Sequence, residues 1–320
     1  MDFDFSVAAI AFGPPAILLF VGAVVLDLVL GGTASRRLPL LLRPIPLIER
    51  VAAELERRLN RKFRSAVTRL IRGLILLLVL AAPLGTAGFV VEHAANTLPF
   101  VWFLELGATV AFVAPRQPLD CIRAATRGIA RGDLAAAREA ARPIIGGGVG
   151  RMDRLQLSAS LIPRMGEHIM IGFVAPAFWF VLLGLSGCAM YRAVGVVAAL
   201  VARDEAQTSH FGFAAIRLHE AIALIPAFIS GLLLTLGSAL APQARPAAAL
   251  MTVFRWPLQR PISRHWSATV IVQGLGIDAM TAVDAGQSAT LLNRAAYLYA
   301  LSIGIGTAAL MLVTVWRLAD

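Results

Sequence analysis

Long apolar runs alternating with arginine-rich stretches dominate the pattern of this chain. An α-helix needs about 17–25 mostly apolar residues to cross a bilayer core. Runs of that kind extend over Ala8–Leu30, Leu70–Val91, Leu98–Ala114, Ile169–Met190, Ala221–Ala241 and Ala295–Trp316. A shorter apolar piece, Val194–Ala202, follows the fourth run. Gly172, Pro176, Gly184 and Gly187 interrupt that run, so it reads either as a crossing helix or as a broken, re-entrant pair with the piece after it. Irregular backbone at membrane depth survives only where protein or a wet cavity covers it. Ser267–Met280 is apolar but short and polar-broken, and predicts no span. The expected fold class is all-α: a polytopic helical membrane protein, read as a single integral membrane domain over residues 1–320.

The polar stretches carry a periodicity of their own. After the first run, Leu47, Val51, Leu55, Leu59, Phe63 and Val67 recur every four residues, with arginines and glutamates filling the gaps. That spacing predicts an amphipathic helix, lying on the membrane surface or packed against other loops. Leu119–Ile145 predicts a helical hairpin on the cytoplasmic side, broken at Gly132-Asp133, with Asp133 as N-cap of a helix through Arg142. The loop from Arg36 to Arg72 is dense in arginine and opposed only by Glu49, Glu54 and Glu56. By the positive-inside rule it faces the cytoplasm and the N-terminus lies outside. Two further runs return the equally basic stretch Arg116–Arg164 to the same side. The expected location is the bacterial inner membrane, with several crossings and the main basic loops cytoplasmic.

Composition agrees with this picture. Of 320 residues, 58% are hydrophobic and only 15% charged, whereas soluble domains carry about 25% charged residues. The net charge is +10, and Lys62 is the only lysine. Positive charge placed between apolar runs argues for anionic lipid headgroups, and against nucleic acid, as the partner. Cys121 and Cys188 form neither a CxxC motif nor a metal-binding spacing. Asp2 and Asp4 precede the first run where a signal peptide would carry basic residues, so a retained span is expected.

Familiar catalytic signatures are missing. Gly146-Gly147-Gly148-Val149-Gly150 lacks the Lys-Ser/Thr of a phosphate-binding P-loop and reads as a flexible turn after Pro143. Neither HExxH nor Gly-x-Ser-x-Gly occurs, and His93, His168, His210, His219 and His265 show no ligand spacing. No metal-ligand set can be named from the residues.

The order of several short blocks nevertheless resembles one family, the CobD/CbiB adenosylcobinamide-phosphate synthases of cobalamin biosynthesis, over about Val25 to Asp284. Leu26-Asp27-Leu28-Val29-Leu30-Gly31 is similar to the family's opening Leu-Asp-x-x-x-Gly. Arg131-Gly132-Asp133-Leu134, followed by Ala137-Arg138, resembles its Gly-Asp-Leu-x-x-Ala-Arg hairpin. Ile144-Ile145-Gly146, with Asp153 downstream, stands where the family writes Val-Gly-Arg-Asp-Thr and a later Leu-Asp. Glu167 and Gly172-Phe173-Val174-Ala175-Pro176-Ala177-Phe178-Trp179 resemble Ala-Glu-Asn and the Ala-Pro-x-Phe-Trp block. Tyr191-Arg192-Ala193-Val194 resembles Tyr-Arg-Ala-Val-Asn, and Phe211-Gly212, Arg217-Leu218 and Pro226-Ala227 fall in register after it. Arg260, Trp266 and Gly274-Leu275-Gly276 match the late motifs. The Ala-Pro-x-Phe-Trp and Tyr-Arg-Ala-Val blocks are the most specific.

The resemblance implies a membrane enzyme that joins aminopropanol, or its phosphate, to a propionate of adenosylcobyric acid. It also implies ATP and Mg2+ as the driving partners, a corrinoid as substrate, membrane lipids as surroundings and a complex with other cobalamin-pathway membrane enzymes. Transferred residue by residue, it makes Glu167, Asp153 and Glu220 the candidate catalytic acids. Asp27, Arg192, Arg217 and Arg260 become the candidate substrate-binding residues. Each has a plainer alternative: Asp27 as a helix-end carboxylate, Asp153 and Glu167 as partners of loop arginines, the arginines as lipid anchors.

Several of the family's polar positions are replaced here. Gly147-Gly148-Val149 stands for Arg-Asp-Thr, His168 for Asn, Ile171 for Asp, Gly195 for Asn, His219-Glu220 for Asp-Asp, and Ser263 and Ala268 for Asn and Glu. Each lost carboxylate removes a hard oxygen ligand. A second reading is therefore a diverged member that keeps the membrane scaffold to bind a corrinoid, another tetrapyrrole or a partner enzyme. A third, a transporter, would call for inverted repeats and matched intramembrane charges, and only Glu105 lies deep in a run.

Overall fold

A computed structural model of the chain describes residues 14–37, 44–61, 63–202, 208–255, 266–276 and 288–319. All regular structure among the described residues is helical: α1 (Ala16–Arg37), α2 (Pro44–Leu59), α3 (Ala66–Thr97), α4 (Trp102–Phe112), α5 (Arg116–Ala130), α6 (Leu134–Ile145), α7 (Arg154–Ile169), α8 (Ala175–Val201), α9 (Thr208–Phe211), α10 (Phe213–Leu240), α11 (Pro246–Arg255), α12 (Trp266–Gly274) and α13 (Ser288–Ala319). A 3-10 turn, Gly147–Arg151, precedes α7, and a π-helical segment, Met170–Val174, follows it. Among the described residues, four stretches are long and apolar enough to cross a membrane: Ala66–Thr97, Arg154–Val201, Phe213–Leu240 and Ser288–Trp316. The chain is an all-α, multi-pass membrane protein.

Two compact units share the chain. The first comprises Met1–Ala114, Ala175–Ala223 and Val313–Asp320; the second comprises Pro115–Val174 and Leu224–Leu312.

In the first unit α3 packs along α8. Its core joins Leu76, Leu77, Leu80 and Ala81 of α3 to Ala193, Val194, Val197 and Val201 of α8, with Ala52, Phe211 and Ala215 closing it. Apolar helices in lipid gain little from burying apolar surface against one another, so close backbone approach at small residues has to hold them. Gly88 shows this: a Cβ there would stand 2.8 Å from the Ser186 Cα. Phe20 of α1 meets Phe180 of α8 with ring centroids 5.2 Å apart.

Three expectations change in this unit. The run Leu98–Ala114 does not form a full crossing. Phe100 turns the chain at φ 65°, and α4 has 11 residues, about 16 Å of helix against about 30 Å of hydrocarbon. The first run is described from residue 14 onward, and its apolar helical part is Ala16–Val29. The amphipathic helix exists but ends at Leu59, so Phe63 and Val67 do not continue its stripe. Its inner face is Ile48, Ala52, Leu55 and Leu59, while Val51 is exposed. A 3.6-residue repeat rotates a strict every-fourth-residue stripe around the helix, so that stripe cannot stay on one face for five turns. On the outer face Glu54 pairs with Arg57 and Arg58. Chiefly the hydrogen bond from Arg58, and then the Arg57 charge, hold its carboxyl below the ordinary range.

Helix α8 is neither an uninterrupted rod nor broken at Pro176. Leu183 (φ −131°, ψ 15°) and Gly184 (φ 63°, ψ −155°) interrupt it. The carboxylate of Glu92 on α3 accepts the freed N–H groups of Leu185 and Ser186, capping the second half of α8. Gly184 takes a left-handed conformation, and a Cβ there would collide with that carboxylate.

The second unit contains the hairpin read from the sequence. Gly132 turns the chain at φ 77°, and Asp133 accepts the Ala136 N–H at 2.9 Å as N-cap of α6. A Cβ on Gly128 would stand 2.7 Å from the Ala137 amide nitrogen, so α5 and α6 touch backbone to backbone. Helix α7 lies against α6 and α12, and α12 against α11. Trp266, which opens α12, is fully buried, its ring centroid 6.0 Å from that of Phe228. Tyr299 of α13 donates its hydroxyl to the Pro115 carbonyl at 2.9 Å, tying α13 to the start of α5.

Candidate functional site

Glu167 is the most deeply placed of the predicted acids. It ends the last full turn of α7, is 4% exposed, and receives the Arg164 guanidinium at 2.8 Å. The i,i+3 spacing puts both groups on one face. Arg164 keeps 46% of its side chain in contact with the surroundings, so the pair is buried on one side only. Gly166 beside it packs against the backbone of Ser267, and Ser230 and Ser267 share a hydrogen bond of 2.5 Å. Immediately beyond lies the π segment Met170–Val174, which coincides with the first half of the Gly-Phe-Val-Ala-Pro block. A π turn widens the helix by one residue and leaves backbone groups off the regular ladder, a geometry common at functional sites.

Asp153 has a different part. It opens α7, accepting the Gln156 N–H at 2.7 Å, while the Gln156 side chain accepts the Asp153 N–H at 3.1 Å. This is a complete capping box. Fourteen residues of helix separate it from Glu167, about 21 Å. The two acids therefore do not act on the same atoms. Arg138, from the hairpin block, donates to the Met152 carbonyl at 2.8 Å and fixes the turn that precedes Asp153.

The first unit holds the other candidates. Arg217 pairs with Glu220 at 3.1 Å, and its guanidinium lies 5.5 Å from the Phe213 ring centroid. On the same helix His219 is buried, its ring stacked 5.7 Å from that of Tyr191. Gly195 makes room for it: a Cβ there would sit 3.4 Å from His219 Nε2. Tyr191 is fully buried, and its hydroxyl has no hydrogen-bond partner among the described residues. Arg192, the next residue, is half-buried, as is Asp27 on α1. Arg260 lies outside the described residues.

The structure thus joins Arg217 to Glu220 and adds His219 and Tyr191, which motif matching passed over as site residues. Their signal was available: Tyr191 belongs to the Tyr-Arg-Ala-Val block, and His219 replaces an acid. Arg164 carried a weaker signal, its i,i+3 spacing to Glu167. A bound magnesium ion needs several oxygen ligands. Among the described residues no three His, Cys, Asp or Glu side chains gather to hold a metal, and Asp153, Glu167 and Glu220 are each already engaged. The described acids do not form a metal cage.

Comparison with known proteins gives one consistent result. The model of a family described as CobD/Cbib protein matches residues 20–314. The cobalamin biosynthesis protein CobD of Rhodobacter capsulatus is 32% identical over 212 residues, 64% of this chain and 66% of that protein. Its namesake in Rhizobium meliloti (strain 1021) is 27% identical over 267 residues, 82% of this chain and 80% of that protein. The one in Klebsiella pneumoniae is 28% identical over 259 residues, 80% and 79% of the two chains. No solved structure matches.

Proposed function

The chain belongs to the CobD/CbiB family, and from that premise we propose that it is a synthase of the adenosylcobinamide-phosphate type. The curated relatives support a role in cobalamin biosynthesis. The proposal adds the reaction: an amide bond between a propionate of adenosylcobyric acid and the amine of aminopropanol or its phosphate. One carboxylate oxygen leaves with a phosphoryl group from ATP, the amine nitrogen takes its place at the carbonyl carbon, and the nitrogen gives up a proton.

The observation that carries the reading is Glu167, a buried carboxylate held by one guanidinium at the mouth of a π segment. A carboxylate so placed can draw the ammonium end of the second substrate and accept its proton. Arg164 holds the carboxylate in place. Arg192, Arg217 and Arg260 are the proposed partners of phosphate and propionate, since guanidinium forks suit both. Glu220 orients Arg217, and Asp27 contributes polarity on α1. Asp153 keeps α7 in place from its far end. The site operates in the bacterial inner membrane, beside other membrane enzymes of the same pathway.

Purified chain in detergent, supplied with adenosylcobyric acid, ATP, magnesium and aminopropanol phosphate, forms the amide product, read by mass. Glu167→Gln lowers the rate about 100-fold or more, and Asp153→Asn, which still caps, leaves it unchanged. Full activity of Glu167→Gln contradicts the assignment.

A second reading keeps the scaffold without the reaction, and the separation of Asp153 from Glu167 favours it. Corrinoid binding by the wild-type chain with no product under any amine would select it.

A further inference from the structure

Five arginines of the stretch Arg116–Arg164 stand without a side-chain hydrogen bond or ion pair among the described residues: Arg123, Arg127, Arg131, Arg151 and Arg154. All five are exposed. The other arginines of the same stretch are engaged: Arg116 with Asp120, Arg138 with the Met152 carbonyl, Arg142 with Glu139 and Arg164 with Glu167. Carboxylates are present, yet Asp120, Glu139 and Glu167 pair with three of these four, and Asp133 and Asp153 accept the backbone N–H groups of Ala136 and Gln156. Arg123, Arg127 and Arg131 follow one another at helical spacing along α5 and its end, on the face opposite Ile122, Ala125 and Ile129, which are buried.

The fold draws two of them to one spot. Arg154, in the first turn of α7, places its Nη2 3.8 Å from where a Cβ on Gly132 would be. Gly132 follows Arg131 at the hairpin tip, so the Arg154 guanidinium reaches the turn that the exposed Arg131 opens. Three residues before Arg154 comes Arg151, at the end of the turn Gly147–Arg151. In that turn Gly147, Gly148 and Gly150 are exposed, and a Cβ on any of them would meet nothing within 4 Å. Small residues with open space above them let a ligand approach the backbone N–H groups closely. The Arg138 contact to the Met152 carbonyl fixes this turn against α6.

Asp133 and Asp153 stand beside these arginines but are engaged as helix caps and make no ion pair with them, and a bound anion relieves the repulsion among the unpaired guanidinium groups. Planar guanidinium forks beside open backbone N–H groups suit tetrahedral phosphate oxygens in particular. We propose that the hairpin tip and the glycine turn form a phosphate-binding site, with Arg131 and Arg154 as its two principal donors and Arg151 flanking them. The group it takes is a phosphate bearing negative charge, carried by a nucleotide or by a phospholipid headgroup. This site is separate from the residues assigned to amide formation, and its occupancy does not depend on that reaction.

Full-length protein in neutral detergent tests it, with affinity measured by ligand-induced thermal shift. The probes are ATP, inorganic phosphate, and micelles doped with phosphatidylglycerol beside micelles doped with phosphatidylcholine. Arg131→Gln with Arg154→Gln weakens binding of the responding probe about tenfold or more, as expected for two charge-assisted contacts. The control pair, Arg57→Gln with Arg142→Gln, removes the same net charge from arginines that already have carboxylate partners and changes affinity less than about twofold. A response to ATP and phosphate identifies a nucleotide site, and a response to phosphatidylglycerol alone identifies a lipid site. Equal loss in both double variants overturns the proposal, because net charge alone then explains binding. So does a wild-type chain that responds to none of the probes, and so does undiminished binding in the Arg131/Arg154 variant. Amide synthesis measured in parallel separates this outcome from failure of the proposed reaction.

Discussion

Replacing Gly166 with alanine tests the contact that seats the candidate carboxylate. A Cβ at this position would stand 2.7 Å from the Ser267 carbonyl carbon and 2.9 Å from the Ala268 amide nitrogen, and closer still to the Ser267 carbonyl oxygen. All three are backbone atoms, so no side-chain rotation relieves the overlap. Helices α7 and α12 must separate, which also strains the Ser230–Ser267 hydrogen bond. Overpacking of a tight interface costs about 1–3 kcal/mol, and a backbone clash belongs at the upper end. At about 2 °C per kcal/mol for a chain of this size, the midpoint of thermal unfolding falls by roughly 5 °C. Cys121 and Cys188 are buried thiols that form no disulfide, so a thiol-reactive dye reports the unfolding directly in detergent. Ser267→Gly added to Gly166→Ala leaves the loss in place, because the clash is with main chain. An unshifted midpoint for Gly166→Ala, or recovery in the double variant, would refute the close packing of α7 on α12.

Further outcomes follow from single groups. Asp133→Ala removes the α6 cap and destabilises the hairpin by about 1 kcal/mol, while Asp133→Asn costs little; amide exchange in α6 reads the difference. Tyr191→Phe deletes a buried hydroxyl that has no partner among the described residues, so it raises stability by about 1 kcal/mol, and a lower midpoint would show that the hydroxyl is satisfied. The Glu54 carboxyl has a folded value depressed by Arg58 and Arg57. Its contribution is present at neutral pH and fades as the pH falls through the carboxylate range. Glu54→Gln flattens that acid limb of a midpoint-against-pH curve, and an unchanged limb would contradict the pairing.

The elements most legible in the sequence are those whose signal is local. The hairpin with its Gly132-Asp133 turn follows from a left-handed glycine and a capping acid, both local effects. The long apolar helices follow from composition over twenty residues. Other features depend on distant contacts. The Gly184 break is set by Glu92, almost a hundred residues earlier, and hydropathy cannot tell it from the other glycines in the run. The shortness of α4 depends on a turn at Phe100, a residue type that carries no turn signal. Asp153 looked like a catalytic acid because motif matching reads identity and order. Asp and Gln three residues apart at a helix start also spell a capping box, and that local rule prevailed. Glu167 is legible in the sequence as a candidate acid, whereas its Arg164 partner and the burial around it depend on the packing of α7 on α12.

Complementation is the most direct test of the central claim, that this chain performs the amide-forming step. The gene is expressed in a bacterium lacking its own adenosylcobinamide-phosphate synthase, supplied with cobyric acid, and scored for cobalamin-dependent growth. The account predicts growth with the wild-type chain and none with Glu167→Gln, both proteins being present in the membrane at equal levels. No growth with a wild-type chain shown to be in the membrane would contradict it and leave the scaffold without the reaction.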